Sequence, residues 1–247
     1  MKLGEMTWPD VKALDKTNLV PVYPIASFEQ HGPHLPFLTD TMETQEVVDR
    51  LERRLPDDVI CLPTQWLGYS FHHTRFAGSI TATSDTHINL ITETVSCLIE
   101  AGFPKVLIVN GHGGNQADMS VALQKLKEHH EESRVFGASY WKVADRQLDE
   151  IREAGPHGWG HAGEMETSMM LVIRPDLVKA DLPHRDGTHP ESQYGERVSQ
   201  FLRMDEMTEL GIYGDPKFGS SEKGERMLEA IADSLAEVIL DIQGGRL

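Results

Sequence analysis

Val106-Leu107-Ile108-Val109, entered through Lys105, is an unbroken apolar run of strand length. A strand apolar on both faces must be covered on both faces, as in a parallel sheet lying between helices. The run ends in Asn110-Gly111-His112-Gly113-Gly114-Asn115, and a helical spacing of apolar residues follows over 117–130. The same order recurs along the chain. A β-prone run over 19–26 leads to a helical pattern over 40–55. A second run, 59–63, leads through an aromatic, histidine-bearing segment at 66–80 to a helix over 84–102, with Ser84 as N-cap and Gly102 as C-cap. A further strand over 134–140 precedes a charged helix at about 144–153. A short helix over 7–17 opens the chain, one beginning near Gly163 runs to Pro175, and a last one spans 221–242. Repeated strand–helix units predict an α/β fold. We expect a three-layer α/β/α architecture with a mostly parallel central sheet, in one domain covering 1–247. The Asp-, His-, Gly- and Pro-rich segment 180–222 is the least regular part, and its length suits a lid or a subunit contact.

Net charge is −16, from 39 acidic against 23 basic residues, which argues against a nucleic-acid or anionic-membrane partner. No apolar run approaches the roughly 20 residues that span a bilayer, and the N-terminus lacks a signal-peptide core, so a cytoplasmic protein is expected. Cys61 and Cys97 both stand in apolar contexts and are expected to be buried thiols; two cysteines are too few for a cysteine-ligated metal.

The 12 histidines are unevenly spread, and several fall in the loops that follow the predicted strands. Such loops converge at the carboxyl edge of a parallel sheet. The first loop offers Glu29, His31 and Asp40; the second, His73; the third, His112; the fourth, His161 and Glu166. Carboxylates and imidazoles are the donors that zinc, manganese and ferrous iron accept. Two histidines and three carboxylates suit two divalent ions per chain sharing one carboxylate, with Asp40 the natural bridge. Its rival role is to cap the helix that begins there. Glu164 suits a helix-capping role better than Glu166 does. A metal pair can activate water and polarise a carbonyl, which is hydrolysis of an amide or related bond. His161 is then the general acid for the leaving nitrogen. The 66–80 segment, with His73 and Gly78, is a candidate lining for a pocket that takes a small polar ring or amide.

Ser27-Phe28-Glu29-Gln30-His31-Gly32-Pro33-His34-Leu35-Pro36 with Thr39-Asp40, Asn110-Gly111-His112-Gly113-Gly114-Asn115, and His161-Ala162-Gly163-Glu164-Met165-Glu166-Thr167-Ser168 resemble, in order, three signatures of the creatininase (creatinine amidohydrolase) family. The resemblance implies a compact α/β/α fold, a homo-oligomer (often a hexamer) and a binuclear centre of zinc, manganese or iron. It implies that Glu29 and His112 bind one metal, His31 and Glu166 the other, that Asp40 bridges both, and that His161 is catalytic. Trp141, after Ser139-Tyr140, resembles a substrate-side tryptophan of the family, and Trp159 lies near a second one at a different spacing. The chain departs from creatininase itself at Gly114, where that enzyme carries a glutamate. The expected function is metal-dependent hydrolysis of a small cyclic amide, formamide or related C–N bond other than an ordinary peptide bond. The alternatives are cleavage of an oxidised inositol or other carbonyl substrate (C–C or lactone), or a non-catalytic relative that binds a small ligand.

Overall fold

The computed structural model describes residues 1–155, 158, 160–184, 198 and 200–247. Its centre is a parallel sheet of β1 (Val20–Ile25), β2 (Val59–Cys61), β3 (Lys105–Asn110) and β4 (Arg134–Ser139), in the order β2-β1-β3-β4. Ile25 is in register with Asn110, and Asn110 with Ser139, so three strands end level and deliver their loops to one edge. β1 holds a central place although Pro21 and Pro24 each remove a ladder donor. All six of its side chains are buried, which compensates for the missing hydrogen bonds.

Side-chain alternation along the strands splits the interior into two cores. Val20, Val22, Leu107 and Val109 face one helical layer; Tyr23, Ile25, Val106 and Ile108 face the other. The first layer holds α2 (Thr39–Arg54), α5 (Tyr140–Val143), α6 (Asp145–Asp149), α7 (Glu164–Ile173) and α8 (Ser221–Gly244). The second holds α3 (Ser84–Glu100) and α4 (Asn115–His129), with α1 (Trp8–Ala13) at its margin. The α/β/α expectation is met.

Several boundaries differ from expectation for local reasons. The helix expected over 144–153 is shorter, Asp145–Asp149, and a separate turn of helix, Tyr140–Val143, precedes it where strand was expected to reach Tyr140; Ala144, at φ −102° and ψ 17°, keeps the two apart. Thr83, not Ser84, caps α3: its hydroxyl accepts from the Thr86 N–H, while the Ser84 hydroxyl turns to Asp118. Gly102 follows that helix at φ 97°, a left-handed position that favours glycine. Cys61 is buried as expected, but Cys97 lies on the solvent face of α3, between the inward-facing Val95 and Leu98. Among the described residues, no helix is long and apolar enough to cross a membrane.

Candidate metal centre

The loop after β1 carries Glu29 and His31 back beneath the sheet edge, and both are fully buried. Asp40 lies in the first turn of α2 but does not cap it; Leu38 occupies the cap position, and the Asp40 side chain turns inward. Its Oδ1 is 2.9 Å from His31 Nε2 and its Oδ2 is 2.9 Å from His112 Nδ1. The Ser27 hydroxyl donates to the same Oδ2 at 2.6 Å. Glu166 enters from the first turn of α7, with Oε2 3.9 Å from His31 Nε2. Glu29 Oε2 lies 3.2 Å from His112 Nε2, and Glu29 Oε1 lies 3.1 Å from His73 Nε2 and 3.5 Å from His161 Nδ1.

Each of three histidines is anchored through one ring nitrogen to a backbone carbonyl. His31 Nδ1 donates to the Glu29 carbonyl at 3.1 Å, His112 Nε2 to that of Tyr69 at 3.0 Å, and His161 Nε2 to that of Gln30 at 2.7 Å. A carbonyl accepts only, so one proton stays at that nitrogen, and any imidazole that gives up a proton to a metal gives it up from its other nitrogen, which faces the carboxylates. This is the arrangement that fixes tautomer and ring orientation in metal-binding histidines. Gln30 adds a further constraint. Its Oε1 accepts from the Gly32 N–H, and its Nε2 donates to the Gly211 carbonyl and to His73 Nδ1. His73 therefore presents a protonated Nε2 toward Glu29.

The charges are closely interdependent. Burial pushes the Glu29 carboxyl up to about 7 against the pull of His112, and burial pushes Glu166 up to about 7 against His31. Burial would lower His31, but the Asp40 carboxylate outweighs it and holds the imidazole at about 10. His112 is held at about 9 in the same way, burial being opposed chiefly by Glu29. Asp40 stays well below the usual carboxylate range despite burial, because His31 and His112 face it. Burial drives His161 and His73 well below the ordinary histidine value.

Cation fit can be read from Glu29. Both its oxygens are fully buried, and the groups nearest them are imidazole nitrogens, His73 Nε2 at 3.1 Å and His112 Nε2 at 3.2 Å. A buried carboxylate so sparsely partnered is costly unless a cation offsets its charge. Three donor groups cluster tightly among the described residues: Glu29 with His31 and His161, Glu29 with His72 and His112, and His31 with Asp40 and Glu166.

A cavity of about 440 Å³ opens above this cluster. Glu29, Asp40, His73, His112, His161, Glu166 and Trp141 line it, with Tyr140 and Tyr213. Gly78 is not brought to its wall; at φ 96° it packs under the Phe37 ring instead. Trp159 lies outside the described residues, as do residues 185–197 and 199 of the expected 180–222 loop. Glu164 is fully buried, but its carboxylate accepts from the Glu153 and Ala154 N–H groups and pairs with Lys223 at 2.7 Å, away from the cluster. Sequence reasoning passed over Gln30, although it lies between two ligand candidates. It also passed over Glu43, which is buried one turn after Asp40 and accepts from the Tyr140 hydroxyl at 3.1 Å. Helical spacing from Asp40 was the available signal for Glu43.

Residues 4–239 match the family model for creatinine amidohydrolase. The chain belongs to the creatininase family. Among this family's members, a mycofactocin precursor peptide peptidase of Mycolicibacterium smegmatis is 29% identical over 220 residues, covering 87% of this chain and 82% of that one. A creatinine amidohydrolase of Pseudomonas putida is 26% identical over 252 residues, covering 96% and 95%. A 3-dehydro-scyllo-inosose hydrolase of Thermotoga maritima is 25% identical over 244 residues, covering 90% and 76%. Solved creatininase structures superpose closely. A manganese form gives a TM-score of 0.83 at 25% identity, covering 97% of both chains. A glutamate-to-glutamine mutant of zinc–zinc type gives 0.86 at 24% identity, covering 97% of both. Creatininase-family membership accounts for the α/β fold and makes hydrolase activity the expectation for this chain.

Proposed function

We propose that this creatininase-family chain is a metal-dependent amidohydrolase that opens a small cyclic amide, formamide or related C–N bond, creatinine among the candidates. The placement of Asp40 supports this most: its two oxygens face two histidines brought in by different loops. Such a carboxylate suits two divalent ions, with Glu29 and His112 holding one and His31 and Glu166 the other. The zinc and manganese forms of solved creatininases favour those metals, with iron also compatible with the donor set. Bound there, the ions supply an activated water and polarise the substrate carbonyl.

The remaining work falls to the chain's own side chains. His161 Nε2 is committed to the Gln30 carbonyl, so the proton that moves does so at Nδ1, which faces the cluster. Neutral at rest, His161 can accept a proton at Nδ1 from the attacking water and return it to the leaving nitrogen. His73, held by Gln30, orients Glu29. Trp141 and Tyr140 meet edge-on, with ring centroids 5.4 Å apart, and form an aromatic wall against which a flat substrate can lie.

A second reading is hydrolysis of a peptide bond. It is favoured by the mycobacterial peptidases, whose 28–29% identity exceeds the 26% of the creatinine amidohydrolase. The chemistry at the cluster is the same; the leaving amine differs. The test is to screen creatinine, formamides, lactones and short peptides with metal-loaded protein, before and after chelation. We expect chelator-sensitive turnover of a C–N substrate. Turnover of lactones alone, or turnover indifferent to chelation, would overturn the proposal.

A further inference from the structure

His72 has no part in the ligand set above, yet it stands against it. It lines the same cavity, and its Nδ1 is buried with no hydrogen-bond partner. Its ring lies nearly parallel to that of His112, at 16° and 5.6 Å between centroids. Donor atoms of Glu29, His72 and His112 all lie within 4.8 Å of one another. An unpartnered buried nitrogen costs free energy that a bound cation recovers.

The backbone opposite His72 makes this approach possible. Gly114 is packed so closely that a Cβ there would stand 2.8 Å from His72 Cε1 and 2.5 Å from His112 Nε2. A Cβ there would also stand 2.3 Å from the Tyr69 carbonyl that anchors His112, so a side chain at 114 would disturb that anchor and both imidazoles together. On the opposite side, the Phe201 ring meets His72 edge-on at 6.0 Å and limits its retreat toward solvent. The segment that carries His72 is a single 3-10 turn, Phe71–His73, whose other histidine already orients Glu29.

We propose that His72 is an additional protein ligand of the ion held by Glu29 and His112, giving that position a nitrogen-richer donor set than its neighbour. This inference rests on the metal-centre reading of the site. Two nitrogens and carboxylate oxygens suit zinc, and a set with one nitrogen fewer is more open to manganese. The two positions should therefore differ in metal preference, with zinc favoured beside His72.

The test compares wild type with His72→Phe, which keeps a flat ring against His112 and removes the nitrogens, and with His72→Ala. Each protein is stripped, then titrated with zinc in equilibrium dialysis; cobalt substitution reports ligand nitrogens through its visible absorption. Wild type should take up two ions, and both variants should hold one of them at least about tenfold more weakly while the other is unchanged. The cobalt band of the weakened position should shift. Melting curves of the stripped proteins show whether the variants fold. Two ions bound as tightly as in wild type, with an unchanged cobalt spectrum, would overturn the role of His72 alone. Failure of wild type itself to bind metal would instead overturn the metal-centre reading.

Discussion

Single residues that look alike in this cluster hold distinct roles. His31, His112 and His161 are each tied to a carbonyl, yet they differ in what the free nitrogen meets. His161 is the proton carrier in this reading, so His161→Ala should keep its metal and lose roughly 10²–10⁴ of the rate. Metal analysis and kcat on the same preparation check both halves; loss of metal would make His161 a ligand. Proton linkage gives a second expectation. Without metal, His31 is raised from 6.5 to about 10, so its stabilising contact with Asp40 is complete below about 6.5 and fades as pH rises toward 10. His112, raised to about 9, behaves alike, while ionising Glu29 and Glu166 through about 7 leaves buried charge that protons no longer relieve. In the proposed centre, metal takes the place of those protons. The gain in Tm on adding zinc should therefore widen between about pH 6 and 9. A gain that is flat or shrinks over that interval would contradict the linkage.

Among the elements, the turn into α7 sends two neighbouring carboxylates in different directions. Ala162 holds a left-handed conformation, φ 55°, which aims its N–H at the Glu166 carboxylate. Such a backbone costs of order 1 kcal/mol in a residue other than glycine, and here it places a ligand candidate. Glu164, two residues earlier, anchors the 153–154 backbone and Lys223 of α8. Glu164→Gln should leave metal content unchanged and lower stability by about 3 kcal/mol, read by chemical denaturation. Metal loss there would mean that the wrong glutamate had been chosen. The strands, the helical layers and the convergence of Glu29, His31, Asp40, His112 and Glu166 were legible because each lies within a contiguous strand–loop–helix pattern. Gly78 was misread because its segment looks like pocket lining, while its left-handed backbone serves to pass Phe37. His72, Gln30 and the Glu43–Tyr140 contact were not legible, because their meaning depends on partners 40 or more residues away in sequence, as in Gln30 with His73 and Glu43 with Tyr140.

For the whole molecule, the two helical layers hold β1 and β3 level, and that levelness brings the first and third loops together at one carboxylate. α2 and α8 are further joined by Arg50, which meets both Glu225 oxygens at 2.7 and 2.9 Å and Glu46 at 2.8 Å, fixing the helix that carries Asp40. We propose that the chain works as a homo-oligomer. Light scattering after size exclusion should give a multiple of the single-chain mass, a hexamer being the expected size; a monomer at all concentrations would contradict it. We propose that Asp40 bridges two ions. The most direct measurement is metal content by mass spectrometry, on wild type and Asp40→Asn purified without chelator. About two divalent ions per chain are expected in wild type, with loss of metal in the variant. One ion or none in wild type after reconstitution, or an unchanged content in Asp40→Asn, would contradict it.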